Sequence, residues 1–209
     1  MRRMPFFCGA FSIAVGALVL AGWVFHVPSL KSVLPGFVSM KPNTALAFIL
    51  LGAALALLSS APPSRRRERI GRALALSAIM IAGLTLCEFL FGWRLGIDEL
   101  LFKDDPNAAA TLIPGRMAPA TAVSFLLIGI ALLGIHWEPR RDFRPAEPLA
   151  LIAASLGAIS LVEEVLGQPI LYNFDRYTRM ALHTAVVFVA LSAGVLLASP
   201  VRGICGAYR

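Results

Sequence analysis

Met40-Lys-Pro42-Asn43-Thr44-Ala45-Leu-Ala-Phe48-Ile-Leu-Leu-Gly52 decides the fold, because the chain carries this pattern three times. It returns as Met117-Ala-Pro119-Ala120-Thr121-Ala122-Val-Ser-Phe125-Leu-Leu-Ile-Gly129, and again as Met180-Ala-Leu182-His183-Thr184-Ala185-Val-Val-Phe188-Val-Ala-Leu-Ser192. Met, Thr, Phe and a small residue recur at four-residue intervals, and Ala follows each Thr. That spacing puts them along one stripe of a helix. Pro42 and Pro119 suit a first helical turn, where a missing N–H costs nothing and the ring presets the backbone angle. Gly52, Gly129 and Ser192 permit close helix approach, which is how helices gain contact in lipid. The motif therefore reads as helix initiation and packing, or alternatively as direct ligand contact by its Met and Thr residues. The third copy departs from the others, with Leu182 in place of Pro and His183 where Asn43 and Ala120 stand.

Working outward, the 209 residues are 58% hydrophobic and 15% charged, with a mean hydropathy of +0.77. A soluble domain of this size is far more polar, so an all-α integral membrane protein is expected. Six apolar stretches stand at 6–25, 44–60, 72–92, 120–136, 149–166 and 183–198. Each approaches the roughly 20 residues that cross a bilayer as a helix. Paired, they make one six-span membrane domain over 1–209, built of three like-oriented helical hairpins at about 6–60, 72–136 and 149–198. Repeats that each cross twice are related by an axis along the membrane normal. A cluster of three hairpins is expected, with the motif helices inside.

Arginine sets the orientation. One side holds Arg2, Arg3, the Arg65-Arg66-Arg67-Glu68-Arg69 run, Arg72, Arg140, Arg141, Arg144, Arg202 and Arg209. The other holds fewer basic residues: Lys31, Lys41, Arg94, Lys103, Arg116, Arg176 and Arg179. The denser side is read as cytoplasmic, giving an N-in/C-in protein of a bacterial cytoplasmic (inner) membrane. The net charge of +7 then belongs to topology and anionic lipid rather than to nucleic acid. Arg2-Arg3 before an apolar run resembles a signal peptide, but no small-x-small cleavage site precedes a polar start, so the first span is read as retained. Cys8 and Cys205 lie near the reducing inner face and Cys87 within a span, so no disulfide is expected.

Ionisable residues inside spans are costly and are candidate functional groups. Glu88 lies near the outer end of the third span, and Glu163 and Glu164 near that of the fifth. Aligning Gly92 with Gly167 makes Glu88 the counterpart of Glu163. These carboxylates either snorkel to the outer interface or line a polar outer pocket, with Arg94, Arg116, Arg176 and Arg179 as possible partners. A candidate ligand pocket therefore comprises Met40, Thr44, Met117, Thr121, Met180, His183, Thr184, Glu88, Glu163 and Glu164. His26 and His183, both on the outer side, are conceivable haem ligands. Met40, Met117, Met180 and His183 would make a soft copper site if the motifs converged. The reading kept here is no cofactor and no metal. The segment Gly96-Ile97-Asp98-Glu99-Leu100-Leu101-Phe102 has helical spacing and is expected as a short outer interfacial helix, followed by a solvated Lys103-Asp104-Asp105 turn. No nucleotide-binding or hydrolase motif is visible, so no enzyme activity is expected.

Gly-Ile-Asp98-Glu-Leu-Leu-Phe102, Gly115-Arg116-Met117-Ala-Pro119-Ala-Thr121-Ala122 and Arg179-Met180-Ala-Leu-His183-Thr184-Ala185 carry a resemblance. The chain, from about Trp23 to Pro200, resembles the multi-pass membrane sensory (input) region that precedes PAS, histidine kinase or GGDEF (diguanylate cyclase) modules in bacterial signalling proteins. The resemblance implies signal transduction to such a module, in cis or in trans, from within the lipid bilayer, as a monomer or homodimer. No output module follows the sixth span, so the sequence is either a shortened receptor or a stand-alone relative. A membrane redox protein using His26 and His183, and a small transporter using the intramembrane carboxylates, are the alternatives.

Overall fold

The computed structural model describes residues 3–33, 37–60, 64–106, 111–139, 143–166 and 179–198, and these form helices and loops. Arg2, Arg140, Arg141, Gly167, Arg176, Pro200, Arg202, Cys205 and Arg209, used in the sequence reading, lie outside the described residues. The helices are α1 (Met4–Val24), α2 (Pro28–Lys31), α3 (Pro42–Leu58), α4 (Arg65–Phe91), α5 (Pro119–Leu133), α6 (Ala146–Leu166) and α7 (Leu182–Leu197).

Helices α3, α5 and α7 begin at the recurring motif and start alike. Their N-caps, Lys41, Ala118 and Ala181, are extended, with ψ of 153°, 148° and 148°. Each N-cap carbonyl accepts the first helical hydrogen bond from the Ala that follows the motif Thr: Ala45 at 3.0 Å, Ala122 at 3.0 Å and Ala185 at 3.1 Å. Pro42 and Pro119 occupy the first turn as expected.

These three helices pack against one another at the centre. Phe48, Phe125 and Phe188 meet there, with ring centroids 4.8, 4.8 and 4.7 Å apart in the three pairings. Tilted and edge-on contacts of this kind are the favourable ones for aromatic quadrupoles. Above and below them the same registers are closed: Ala45, Ala122 and Ala185 are fully buried, as are Leu51, Ile128 and Leu191. The longer helices α1, α4 and α6 stand outside, each packed on two of the inner helices, so the order around the bundle is α1, α3, α4, α5, α6, α7 and back to α1.

The two motif glycines do not face the centre. A Cβ on Gly52 would come 2.6 Å from the Gly9 carbonyl oxygen on α1, and one on Gly129 would come 2.5 Å from Ile79 Cγ1 on α4. Successive four-residue steps advance about 400° on a helix with 3.6 residues per turn, so the stripe drifts around the helix. Phe points inward and the glycine toward the long outer helix that precedes it in sequence. Alongside, the Ser12 hydroxyl of α1 donates to the Phe48 carbonyl at 2.9 Å.

The outward faces of α1, α4 and α6 are apolar. Phe7, Phe11 and Leu18, Leu76 and Met80, and Leu151 and Ile152 are exposed. The most apolar windows of α1 and α4 have a hydropathy of 2.1 with 28% of residues buried. In water such surface is unfavourable, whereas in hydrocarbon it is matched to the solvent. Three helices are long and apolar enough to cross a membrane, namely α1, α4 and the Ala146–Glu164 part of α6, and they point to a membrane protein. Helices α3, α5 and α7, of 17, 15 and 16 residues, are shorter apolar helices.

The structure adds two features on the basic side. The Arg65–Arg69 run forms the first turns of α4, where Arg72 pairs with Glu68 at 2.6 Å. Good helix formers with an i,i+4 pair extend a helix beyond its apolar part. Arg144, read as a topology charge, is 5% exposed and pairs with Glu138.

Candidate functional site

The polar groups converge at the end of the bundle where the motif helices begin. Gly92, with φ of 66°, closes α4 in a left-handed cap. The chain then turns back, so that the Leu95 N–H donates to Glu88 Oε1 at 2.8 Å. Residues 96–102 do not form the expected interfacial helix. They make a turn, and the reason is visible in its contacts. Its carbonyl at Ile97 accepts from Asn43 Nδ2 at 2.8 Å, and its Phe102 ring lies 6.1 Å from the Trp23 ring. Tertiary anchoring has overridden a helical spacing too short to hold by itself.

Arg116 joins the turn to α4. Its Nε donates to Asp98 Oδ2 at 2.7 Å, and its Nη2 lies 3.3 Å from Glu88 Oε1. The guanidinium also sits 5.2 Å from the Phe89 ring centre. Gly115 makes this approach possible. Its φ is +73°, and a Cβ there would come 2.5 Å from the Asp98 carbonyl oxygen. Glu88 and Asp98 are 1% and 7% exposed, so Glu88 does not snorkel. Glu88 Oε2 and Asp98 Oδ1 have no hydrogen-bond partner. Burial pushes the Asp98 carboxyl up to about 6. The Arg116 hydrogen bond and charge oppose this, and the neighbouring Glu88 carboxylate reinforces it. Glu88, Asp98 and Arg116 line an open cleft of about 740 Å³, with Phe89, Trp93 and Arg94 on its walls.

A second ion pair fastens the same loop to the first motif. Lys41 Nζ lies 2.5 Å from Asp104 Oδ2, with both side chains almost fully buried, and also donates to Thr111 Oγ1 at 3.0 Å. Asp104 Oδ2 accepts in addition from the Gly115 N–H at 3.0 Å. The Lys103-Asp104-Asp105 turn is therefore not uniformly solvated: Asp104 points in, and Lys103 and Asp105 remain exposed. Trp23 completes the fastening, its Nε1 donating to the Met40 carbonyl at 3.0 Å.

The expected pocket residues divide into groups. Met40, Met117 and Met180 are buried at 1, 1 and 5% exposure, and Thr44, Thr121 and Thr184 at 2% each. These six sit in the first turns of α3, α5 and α7 or just before them. None lines the cleft. Glu88 does, together with Arg116, one of its anticipated partners. Glu163 and Glu164 are half-buried at the end of α6. Arg179 stands before Met180 as Arg116 stands before Met117, and acts electrostatically on Glu164. His26 is exposed, just past α1, with a left-handed φ of 55°. His183 is half-buried in α7, and neither ring nitrogen has a hydrogen-bond partner. Among the described residues, no group of three or more His, Cys, Asp or Glu is placed to hold a metal ion.

Lys41, Asp98 and Asp104 were missed by sequence reasoning as site residues. A signal was present: Lys41 is a charge inside an otherwise uncharged motif, and it needs an acid wherever the motif is buried.

Fold and site together define an all-helical protein with apolar helices suited to a membrane and an ionic cluster at one end. No family model matches the chain, and no curated protein or solved structure matches it either.

Proposed function

We propose that the chain is a six-span sensory module of a bacterial cytoplasmic membrane, N-in/C-in and built of three hairpin repeats. It relays a stimulus at its outer face to a cytoplasmic histidine kinase or diguanylate cyclase, in cis or in trans. The observation that carries this reading is the linkage of the cleft to the helix core. Arg116, which binds Glu88 and Asp98, immediately precedes Met117 and α5, and Phe125 of α5 abuts Phe48 and Phe188. A shift of the 96–102 turn or of Arg116 is thereby passed to the inner helices. Sensing needs two packings that a stimulus stabilises unequally, and a polar cluster held on an apolar bundle supplies such a contrast.

Six spans require the three short inner helices to be completed by the segments before them. The inner helices are short of the roughly 30 Å hydrocarbon thickness at 1.5 Å per residue. They are preceded by extended segments enclosed in protein, where irregular backbone is tolerated at membrane depth. Transport is less well supported, because the bundle centre is closed by three phenylalanines and the buried charges lie toward its two ends, Lys41, Glu88, Asp98, Asp104 and Arg116 at one and Arg144 and Glu147 at the other.

The test is a comparison of strains carrying the wild type, an Arg116→Ala variant or a deletion. Cyclic dinucleotide level and kinase phosphorylation are followed under envelope stress, redox and lipid challenge. A change in either output on deletion, altered again by Arg116→Ala at equal protein level, supports the reading. Unchanged outputs on deletion in every challenge overturn it. An absorption spectrum after haem supplementation tests the redox alternative through His26 and His183.

A further inference from the structure

Glu88 Oε2 and Asp98 Oδ1 are acceptor atoms shut away from water without a donor. Their two carboxylates share one guanidinium. With both ionised, the cluster holds an uncompensated negative charge beneath the cleft, and burying a net charge is costly unless it is neutralised. The other charges nearby do not supply the missing one. Lys41 is taken by Asp104, Arg94 and Glu99 are exposed on the cleft wall, and Asn43 reaches the turn as a neutral donor to backbone. A hydrated metal ion or an organic ammonium cannot reach oxygens that water does not reach. A proton can.

We propose that Asp98, held against Glu88, binds one exchangeable proton, and that its loss drives Asp98 and the 96–102 turn toward the cleft. Protonated, Asp98 donates to Glu88 and the cluster is neutral with Arg116. Deprotonated, two buried carboxylates repel. Glu88 is fixed on α4, whereas Asp98 is carried by a turn, so Asp98 is the group that moves. That turn bears Ile97 on Asn43 and Phe102 on Trp23, so its movement reaches the start of α3.

The direction of the pH effect follows. The Asp98 carboxyl in the packed protein titrates near 6, above the ordinary 3.8. Acid therefore favours the packed turn. The contribution is fully present below about pH 4 and is lost as pH rises through about 6. The regulatory consequence, an outer-pH stimulus, rests on the sensing reading, but the proton site does not.

The experiment is infrared difference spectroscopy of the full chain in lipid nanodiscs between about pH 4.5 and about pH 7.5, a span that brackets the raised carboxyl. Wild type and the exposed control Asp105→Asn should lose a carboxylic-acid carbonyl band as pH rises. Asp98→Asn should lack the component of that band that titrates near 6, and its melting temperature should not fall over the same range as that of wild type does. Should Asp98→Asn fail to fold, Glu88→Gln serves: with one acid beside Arg116, the band should titrate at lower pH. An absent band in wild type, or the same band in Asp98→Asn, overturns the proton site and leaves sensing to its own test. A band that titrates as expected, with outputs unmoved by deletion, sinks the sensing reading and leaves the proton site standing.

Discussion

Gly52→Ala should be far more damaging than Gly129→Ala, although both glycines hold the same place in the motif. At Gly52 the added Cβ meets the Gly9 carbonyl oxygen at 2.6 Å, with Ser12 Cβ and Ile13 Cγ1 each at 3.0 Å. The contact is reciprocal, since a Cβ on Gly9 would meet the Gly52 carbonyl oxygen at 2.5 Å. Backbone faces backbone, so no side-chain rotation relieves it. Restoring ordinary contact needs α1 and α3 to separate by roughly 0.8 Å, and a gap of that size forfeits about a quarter to a half of each dispersion contact along the seam. Overpacking of this kind costs about 1–3 kcal/mol. Stretching the adjacent Ser12 hydrogen bond adds about 0.5–1.5 kcal/mol. The total for Gly52→Ala is then about 1.5–4.5 kcal/mol. At Gly129 the obstacles are Ile79 Cγ1 and Cδ1, and the nearest backbone atom is the Ala75 oxygen at 3.6 Å. Ile79 can change rotamer for about 1 kcal/mol. Reversible unfolding of both variants in mixed micelles reads the difference. Equal destabilisation, or Gly52→Ala indistinguishable from wild type, would refute the backbone seam.

Phe125→Ala removes two of the three ring contacts and should cost about 1–3 kcal/mol beyond the lost packing, at about 0.5–1.5 kcal/mol per aromatic pair. A double-mutant cycle with Phe188→Ala should return a coupling of that order for one pair. Lys41→Met and Asp104→Asn should each destabilise by about 3–5 kcal/mol by stranding a buried charge. The double variant should recover much of that loss, and a loss equal to the sum of the singles would count against a closed ion pair. Arg66→Ala, on the exposed start of α4, should change the melting temperature little, as exposed charges contribute about 0–1 kcal/mol.

The sequence marked the inner helices well, because a Pro-led start and a recurring aromatic are local features that survive any tertiary context. It placed the small residue along the Phe stripe but could not say which neighbour it faced. That depends on the angular drift between residues and on where the outer helix lies. The 96–102 turn was misread for a related reason: seven residues of helical spacing do not hold a helix against an Asn43 side chain and a Trp23 ring supplied from elsewhere. Glu88 was legible as an unusual charge in an apolar run, and Arg116 as a nearby partner. Asp98 and Asp104 were not, since loop acids carry no periodicity and their partners are fixed only once the loop lies across the first motif.

The closure of the bundle between its first and last helices has a consequence for chain order. Gly194 of α7 lies against Cys8 of α1, where a Cβ would meet Cys8 Cβ at 2.8 Å. This seam is as extensive as that between α5 and α6, which are consecutive in sequence. Which hairpin comes first is therefore not specified by the packing. A gene rearranged to begin with α4 and to end with α3, with a linker joining α7 to α1, encodes the same set of neighbours. The arrangement has a rotational grammar, in which any of the three hairpins can open the sentence.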